Sequence, residues 1–329
     1  MTVDAALFPP TPALPAPDAA AGFRGLIAYP VTPLAPDGAP DRGGLARLVA
    51  DALGAGVDAV TVLASSGAGV TFDDDERDVV VRVAVEAAGG APVHVAVSAA
   101  STAQVLRNAR AAEDAGASGL VLAPFAYLPL VDDEVRALVE AVGAVSALPL
   151  CFYNRPLQSG YDLSSAMLTS LVGSTTVVAV KDPASLPDRP RGRVASLRRA
   201  GGPGASVGLS GDVPLLTGAE PADAWHTGLA ALAPVEYVAV RRARVAGDGA
   251  TTTPAAAEPA TGSATETARA WLADLAGALA AGRPLGGLHA LAELLGTPTG
   301  PPRGPSLPAT HADVERLRAV VARRPRDPR

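Results

Sequence analysis

From Gly25 onward, short apolar runs alternate with longer stretches in which apolar residues recur every three or four positions. A strand needs only four to eight such residues, whereas an amphipathic helix repeats its apolar face at i, i+3, i+4 and i+7, so the alternation predicts βα units building a parallel sheet. The strand candidates are Leu26–Pro30, Ala59–Leu63, Val93–Val97, Gly119–Ala123, Leu148–Tyr153, Val177–Val180, Ser206–Leu209 and Ala222–His226. Eight runs, several of them apolar on both faces, fit strands enclosed between a filled barrel interior and a ring of helices. The expected fold is therefore an α/β (β/α)8 barrel, with an open doubly wound sheet as the competing architecture.

Helix starts are marked between the strands. Asp41 precedes Leu45, Leu48, Val49 and Leu53, and Asp73 followed by Glu76 has the spacing of a capping box. Ser101 and Asp132 open two further helical patterns. After the eighth strand a helix runs to about Val245, and two more are expected near Thr265–Ala281 and Leu285–Leu295, then a last one over Ala312–Ala322. The resulting division is a disordered N-terminal tail at 1–24, a barrel at 25–247, a flexible Thr-, Ala-, Pro- and Gly-rich insertion at 248–264, and a C-terminal helical extension at 265–329.

Composition narrows the function. The 329 residues carry a net charge of −6 and show no basic stripe of the kind that nucleic acid or an anionic membrane requires. No run reaches the roughly 20 apolar residues of a spanning helix, and Met1 to Ala21 lacks the pattern of a signal peptide, so a cytoplasmic location is expected. Cys151 is the only cysteine and reads as a small buried hydrophobe. His94, His226, His289 and His311 have no metal-ligand spacing, and no glycine run matches a phosphate fingerprint, so neither metal nor cofactor is expected.

The lysine count changes the picture most. Of 27 cationic side chains 26 are arginine, and Lys181 is the sole lysine. Arginine stays protonated and cannot attack a carbonyl, whereas a desolvated lysine can lose its proton and form a Schiff base. In a barrel the reactive residues follow the strands. Ser65, Ser66 and Gly67 follow the second strand, Tyr153 closes the fifth and Lys181 the sixth. The apolar run before Lys181 is expected to disfavour the ammonium form, and Tyr153 on the adjacent strand to shuttle protons.

With these residues in place, the chain from about Gly25 to Pro308 resembles the dihydrodipicolinate synthase and N-acetylneuraminate lyase family. The resemblance rests on Tyr153-Asn154-Arg155-Pro156 with Ser159-Gly160, on Val180-Lys181-Asp182, and on Ser210-Gly211-Asp212. Pro30-Val31-Thr32-Pro33 with Asp37-Gly38, Phe72 with Glu76-Arg77, and Ala115-Gly116-Ala117 add to it. It implies a class I lyase or aldolase acting on a pyruvate-like 2-oxo acid, as a homotetramer or dimer. Lys181 is implied as the Schiff-base lysine and Tyr153 as the proton-moving phenol. Ser65 and Ser66 are implied as carboxylate-binding hydroxyls, Gly211 as a glycine lining the site and His226 as a residue at an otherwise apolar pocket position.

Departures from the family pattern qualify the reaction. Ala64-Ser65-Ser66-Gly67-Ala68 stands for Gly-Thr-Thr-Gly-Glu, Ala126 replaces a tyrosine of the synthase branch with Tyr127 beside it, and Gln158 replaces an arginine that holds the second substrate's carboxylate. The alternatives are therefore a sugar-acid dehydratase of the same family and a non-catalytic 2-oxo-acid-binding protein. The orientation of Arg155, three residues before Gln158, is left open by Pro156.

Overall fold

The computed structural model describes residues 19–185, 189–199, 204–218, 222–249 and 263–325. Eight parallel strands form a closed barrel in chain order. They are β1 (Gly25–Ala28), β2 (Ala59–Val62), β3 (Val93–Ala96), β4 (Gly119–Leu122), β5 (Leu150–Tyr153), β6 (Val177–Pro183), β7 (Ser206–Ser210) and β8 (Ala224–Thr227). The barrel closes where β1 pairs with β8, Gly25 opposite Ala224. Most strands are only four residues long and buried at nearly every position, which is why their sequences read as continuous apolar runs without alternation.

The helices begin where capping residues stand. In α1 (Arg42–Gly54) the Asp41 carboxylate accepts from the Gly44 N–H, and α2 (Asp74–Ala88) opens on a full capping box between Asp73 and Glu76. The ring continues with α3 (Thr102–Asp114), α4 (Asp132–Gly143), the single turn α5 (Pro156–Ser159), α6 (Ser165–Ser174), α7 (Arg189–Arg199), the short α8 (Asp212–Thr217) and α9 (Pro234–Gly249). Beyond it lie α10 (Ser263–Ala280), α11 (Pro284–Leu294) and α12 (His311–Val321). Residues 250–262, most of the expected insertion, fall outside the described residues, as do residues 1–18.

The expected disordered tail at 1–24 is corrected at its end. Ala20 and Phe23 are buried, and Ala21–Phe23 form a 3-10 turn. The Phe23 ring stacks on His94 with centroids 4.1 Å apart, and the Phe23 carbonyl accepts from the Ser206 hydroxyl. Residues 19–24 thus seal the N-terminal mouth of the barrel. Gly119 leaves the room for this, since a Cβ there would come within 2.7 Å of the Phe23 ring. The C-terminal segment is pinned across the opposite mouth by Arg303, whose guanidinium meets both carboxylate oxygens of Glu76 and lies over the Phe72 ring. Among the described residues no helix is long and apolar enough to cross a membrane.

Candidate active site

Tyr153 closes β5, but Lys181 does not close β6, which runs two residues further to Pro183; the two are register partners and stand side by side. Lys181 is 4% exposed, and its Nζ lies 3.7 Å from the centroid of the Tyr153 ring and 3.7 Å from that of Tyr29. Burial lowers the pKa of Lys181, and the nearby charge of Arg155 adds to the shift. Burial pushes the Tyr153 phenol up, yet the charges of Lys181 and Arg155, with hydrogen bonds to Lys181 and Ser65, leave its pKa below the ordinary tyrosine value. A less basic amine beside a more acidic phenol is the pairing that proton transfer at an imine needs.

A network behind the strands fixes this pair. The Asn154 N–H donates to the Lys181 carbonyl, and the Asn154 side chain donates to Asp182 and accepts from the Leu163 N–H. Asp182 is fully buried and forms an ion pair with Arg193, itself 1% exposed, whose guanidinium also donates to the Leu163 carbonyl. Removing one partner of a buried pair strands the other, at about 3–5 kcal/mol. Arg193→Met is accordingly expected to lower the unfolding free energy by about that amount, measured by urea titration, with Asp182→Asn in the same direction.

The loop after β2 faces the same cavity. Leu63 and Ala68 both adopt positive φ, at 60° and 50°, a costly conformation for residues with a Cβ. The turn packs so tightly that a Cβ on Gly69 would come within 1.8 Å of the Leu63 carbonyl. Arg77, buried under the loop, holds it by donating to the Gly69 and Ala96 carbonyls at 2.6 Å each. Among the described residues no protein acceptor takes the N–H of Ser65 or Ser66. Such free N–H groups in a tight turn form a cradle for an oxyanion. The Ser66 hydroxyl donates to the Tyr29 carbonyl at 2.8 Å, so Ser66 offers its N–H and not its hydroxyl proton. The Ser65 hydroxyl accepts from the Arg155 guanidinium, which resolves the orientation of Arg155: it points inward, 5.2 Å from the Tyr153 ring centroid.

All six residues expected at the site border one cavity of about 810 Å³: Lys181, Tyr153, Ser65, Ser66, Gly211 and His226. Gly211 has φ 107° and caps α8. His226 is 2% exposed, and its Nδ1 is 2.8 Å from the Tyr29 hydroxyl. Gln158 and Arg155 line this cavity and also an adjoining one of about 650 Å³, whose far wall includes Val70, Phe125 and Leu307. Tyr127 lines neither cavity and is 99% exposed. Among the described residues no cluster of three or more His, Cys, Asp or Glu is placed to hold a metal ion.

Two contributions escape sequence reasoning. Tyr29 immediately follows β1, so the rule that reactive residues follow strands points to it, but the apolar run Leu26–Pro30 hides it inside the expected strand. Leu285 and Leu288 of α11 also line the larger cavity, so the C-terminal extension is a wall of the site as well as a covering outside the barrel.

At the C-terminal mouth of a parallel eightfold barrel, a buried lysine thus stands beside a tyrosine on the adjacent strand. The Dihydrodipicolinate synthetase family model matches residues 22–323, and the chain belongs to that family. It is 32% identical over 174 residues to 4-hydroxy-tetrahydrodipicolinate synthase of Xanthomonas axonopodis pv. citri, a match covering 53% of this chain and 58% of that protein. The chain thus spans less than two thirds of the curated relatives it matches. The dihydrodipicolinate synthase of Agrobacterium tumefaciens superposes with a TM-score of 0.83 at 28% identity, covering 93% of this chain and 99% of that one. A sialic acid aldolase of Ruminococcus gnavus, studied as a catalytic lysine mutant, shares the fold with a TM-score of 0.78 at 18% identity over 92% of this chain and 96% of that one.

Proposed function

We propose that the protein is a class I lyase or aldolase that binds a pyruvate-like 2-oxo acid as a Schiff base on Lys181. The observation that carries this reading is the sole lysine, buried with a depressed pKa beside an acidified Tyr153. The unprotonated amine adds to the C2 carbonyl, the oxygen takes a proton, and loss of water leaves an iminium. When the C4 hydroxyl loses its proton, the C3–C4 bond breaks, its electrons pass to the iminium nitrogen, and an aldehyde and an enamine result. Protonation of C3 and hydrolysis then release the 2-oxo acid and the amine. Tyr153 is assigned the proton transfers, and the 2-oxo acid's carboxylate is assigned to the N–H groups of Ser65 and Ser66, with Arg155 supplying positive charge. The other named neighbours, Gly211 and His226, are assigned to the cavity wall against the substrate.

The cavity also supports a choice among substrates. Gln158 offers a neutral amide where a carboxylate-bearing aldehyde favours a guanidinium, and Arg155 is turned toward Ser65. Losing a charge-assisted contact to a buried carboxylate typically costs about 2–5 kcal/mol, or roughly 30- to several-thousand-fold in specificity. The expected kcat/KM for aspartate semialdehyde with pyruvate therefore lies below about 10⁵ M⁻¹s⁻¹. The test is a coupled assay beside a panel of hydroxylated 2-oxo acids, sugar acids and aldehydes with apolar ends. Turnover of any panel member supports the lyase reading; binding across the panel without turnover overturns it in favour of a 2-oxo-acid sensor. Exposed apolar side chains at Phe125, Tyr127, Leu128, Val131 and Leu157 support a homo-oligomeric assembly.

A further inference from the structure

Tyr153 presents its ring face to the Lys181 nitrogen at 3.7 Å, and the two groups shift each other's ionisation. Tyr29 meets it differently. The nitrogen lies over the Tyr29 face at 3.7 Å, while the Tyr29 hydroxyl is directed away, to His226 Nδ1 at 2.8 Å. Tyr29 is 3% exposed and His226 2%, and the two rings sit edge to face with centroids 5.7 Å apart.

The surrounding backbone is shaped for this pair. Lys181 on β6 is the register partner of Gly208 on β7, and a Cβ on Gly208 would come within 2.1 Å of His226 Nε2. The glycine therefore leaves the imidazole a berth in the same layer of the barrel as the lysine stem. His226 is neutral, because burial, then the charge of Lys181, then His94 hold its pKa well below the ordinary histidine value. A neutral imidazole can orient the Tyr29 phenol without setting a second positive charge against the lysine. The negative face of an aromatic ring attracts a cation, and more so when both are removed from water.

We propose that Tyr29 and His226 act as one positioning unit that holds the Lys181 nitrogen, as ammonium and then as iminium, against the face of the Tyr29 ring. The inference rests on the Schiff-base reading of Lys181 for the iminium, but not for the ammonium. Nζ is then clasped between two aromatic faces of unequal function: Tyr153 moves protons, and Tyr29 steadies positive charge. The ionisable groups whose charge reaches Lys181 are Tyr153, Arg155 and Cys151, and Lys181 in turn acts on Asp212 and His226.

Because the chain has one lysine, its ionisation can be followed directly by trace acetylation with acetic anhydride across pH. The peptide carrying Lys181 is read by mass, without substrate. Tyr29→Leu removes the face but leaves an apolar side chain, and the labelling midpoint is expected to fall by about 0.4–1.5 pH units, the size of a cation–ring contact. Tyr29→Phe keeps the face and breaks the bond to His226, so a smaller fall is expected. His226→Leu should match Tyr29→Phe, and should add nothing to Tyr29→Leu. In parallel, the pyruvate concentration giving half-maximal borohydride trapping on Lys181 should rise about 2- to 30-fold in Tyr29→Leu. An unchanged midpoint in Tyr29→Leu overturns the proposal. So does an upward one, which is what water entering a loosened core would produce. A Tyr29→Phe variant that loses turnover by two orders of magnitude with its midpoint intact would overturn it too, by showing that the hydroxyl transfers protons. If the wild type traps no pyruvate, the Schiff-base reading fails, while the labelling midpoints still decide whether the ring holds the amine.

Discussion

Borohydride added with pyruvate is expected to attach one reduced pyruvyl group to the protein, on the peptide that carries Lys181. Only the N-terminal amine competes, because there is no second lysine. The trapping rate should climb with pH through the pKa of Lys181, which lies below the ordinary lysine value, since only the unprotonated amine attacks. Lys181→Arg preserves a cation but removes the nucleophile. It should abolish the adduct and lower turnover by about four orders of magnitude or more, as loss of a covalent nucleophile does. An adduct confined to the N-terminus would dismiss Lys181 as the nucleophile.

Tyr153→Phe is expected to keep the fold and the imine while lowering kcat by about two to four orders of magnitude, the range for a positioned acid–base group. The phenyl ring still fills the space beside Lys181 and still presents a face to its nitrogen, so trapping with pyruvate should persist. What is lost is the phenolic proton, whose pKa the charges of Lys181 and Arg155 lower. Stopped-flow trapping beside steady-state turnover separates the two effects. A kcat within threefold of wild type would place the proton transfers elsewhere.

The candidate site could be picked out in the chain because the covalent chemistry proposed for it restricts residue type severely. A single amine among arginines, a tyrosine one strand away and a Ser-Ser pair stand out without coordinates, and Lys181, Tyr153, Ser65 and Ser66 border one cavity. The barrel was equally legible, since eight apolar runs spaced by helices leave few alternatives. The eighth strand begins two residues later than its sequence suggests, since Ala222 and Asp223 precede the first strand pairing at Ala224. Less legible were features fixed by long-range packing. Phe23 gains its place from His94, Gly119 and Ser206, far along the chain. The inward turn of Arg155 depends on Ser65, 90 positions earlier. Leu285 and Leu288 look like any apolar helix stripe until α11 is laid across the barrel mouth, because periodicity says that a face is buried and not what it covers.

The closure of β1 on β8 sets a condition on how the chain is made. Translation delivers the N-terminus first, at about 5–20 residues per second, and the partner of Gly25 is Ala224, roughly 200 positions later. The edge of β1 therefore waits for about 10–40 s on the ribosome before a neighbour exists to cover it. The walls of the cavity arrive later still, with Leu285 and Leu288, and the Arg303 clasp on Glu76 comes after them. A nascent chain stalled after β8 would already hold Lys181 and Tyr153 at their strand ends, yet in a mouth open to water, where an amine regains its hydration and with it its proton. On the Schiff-base reading, reactivity at Lys181 is expected only once the last third of the polypeptide has been synthesised, and a ribosome-bound series of increasing length, trapped with pyruvate and borohydride, should show it as a late onset.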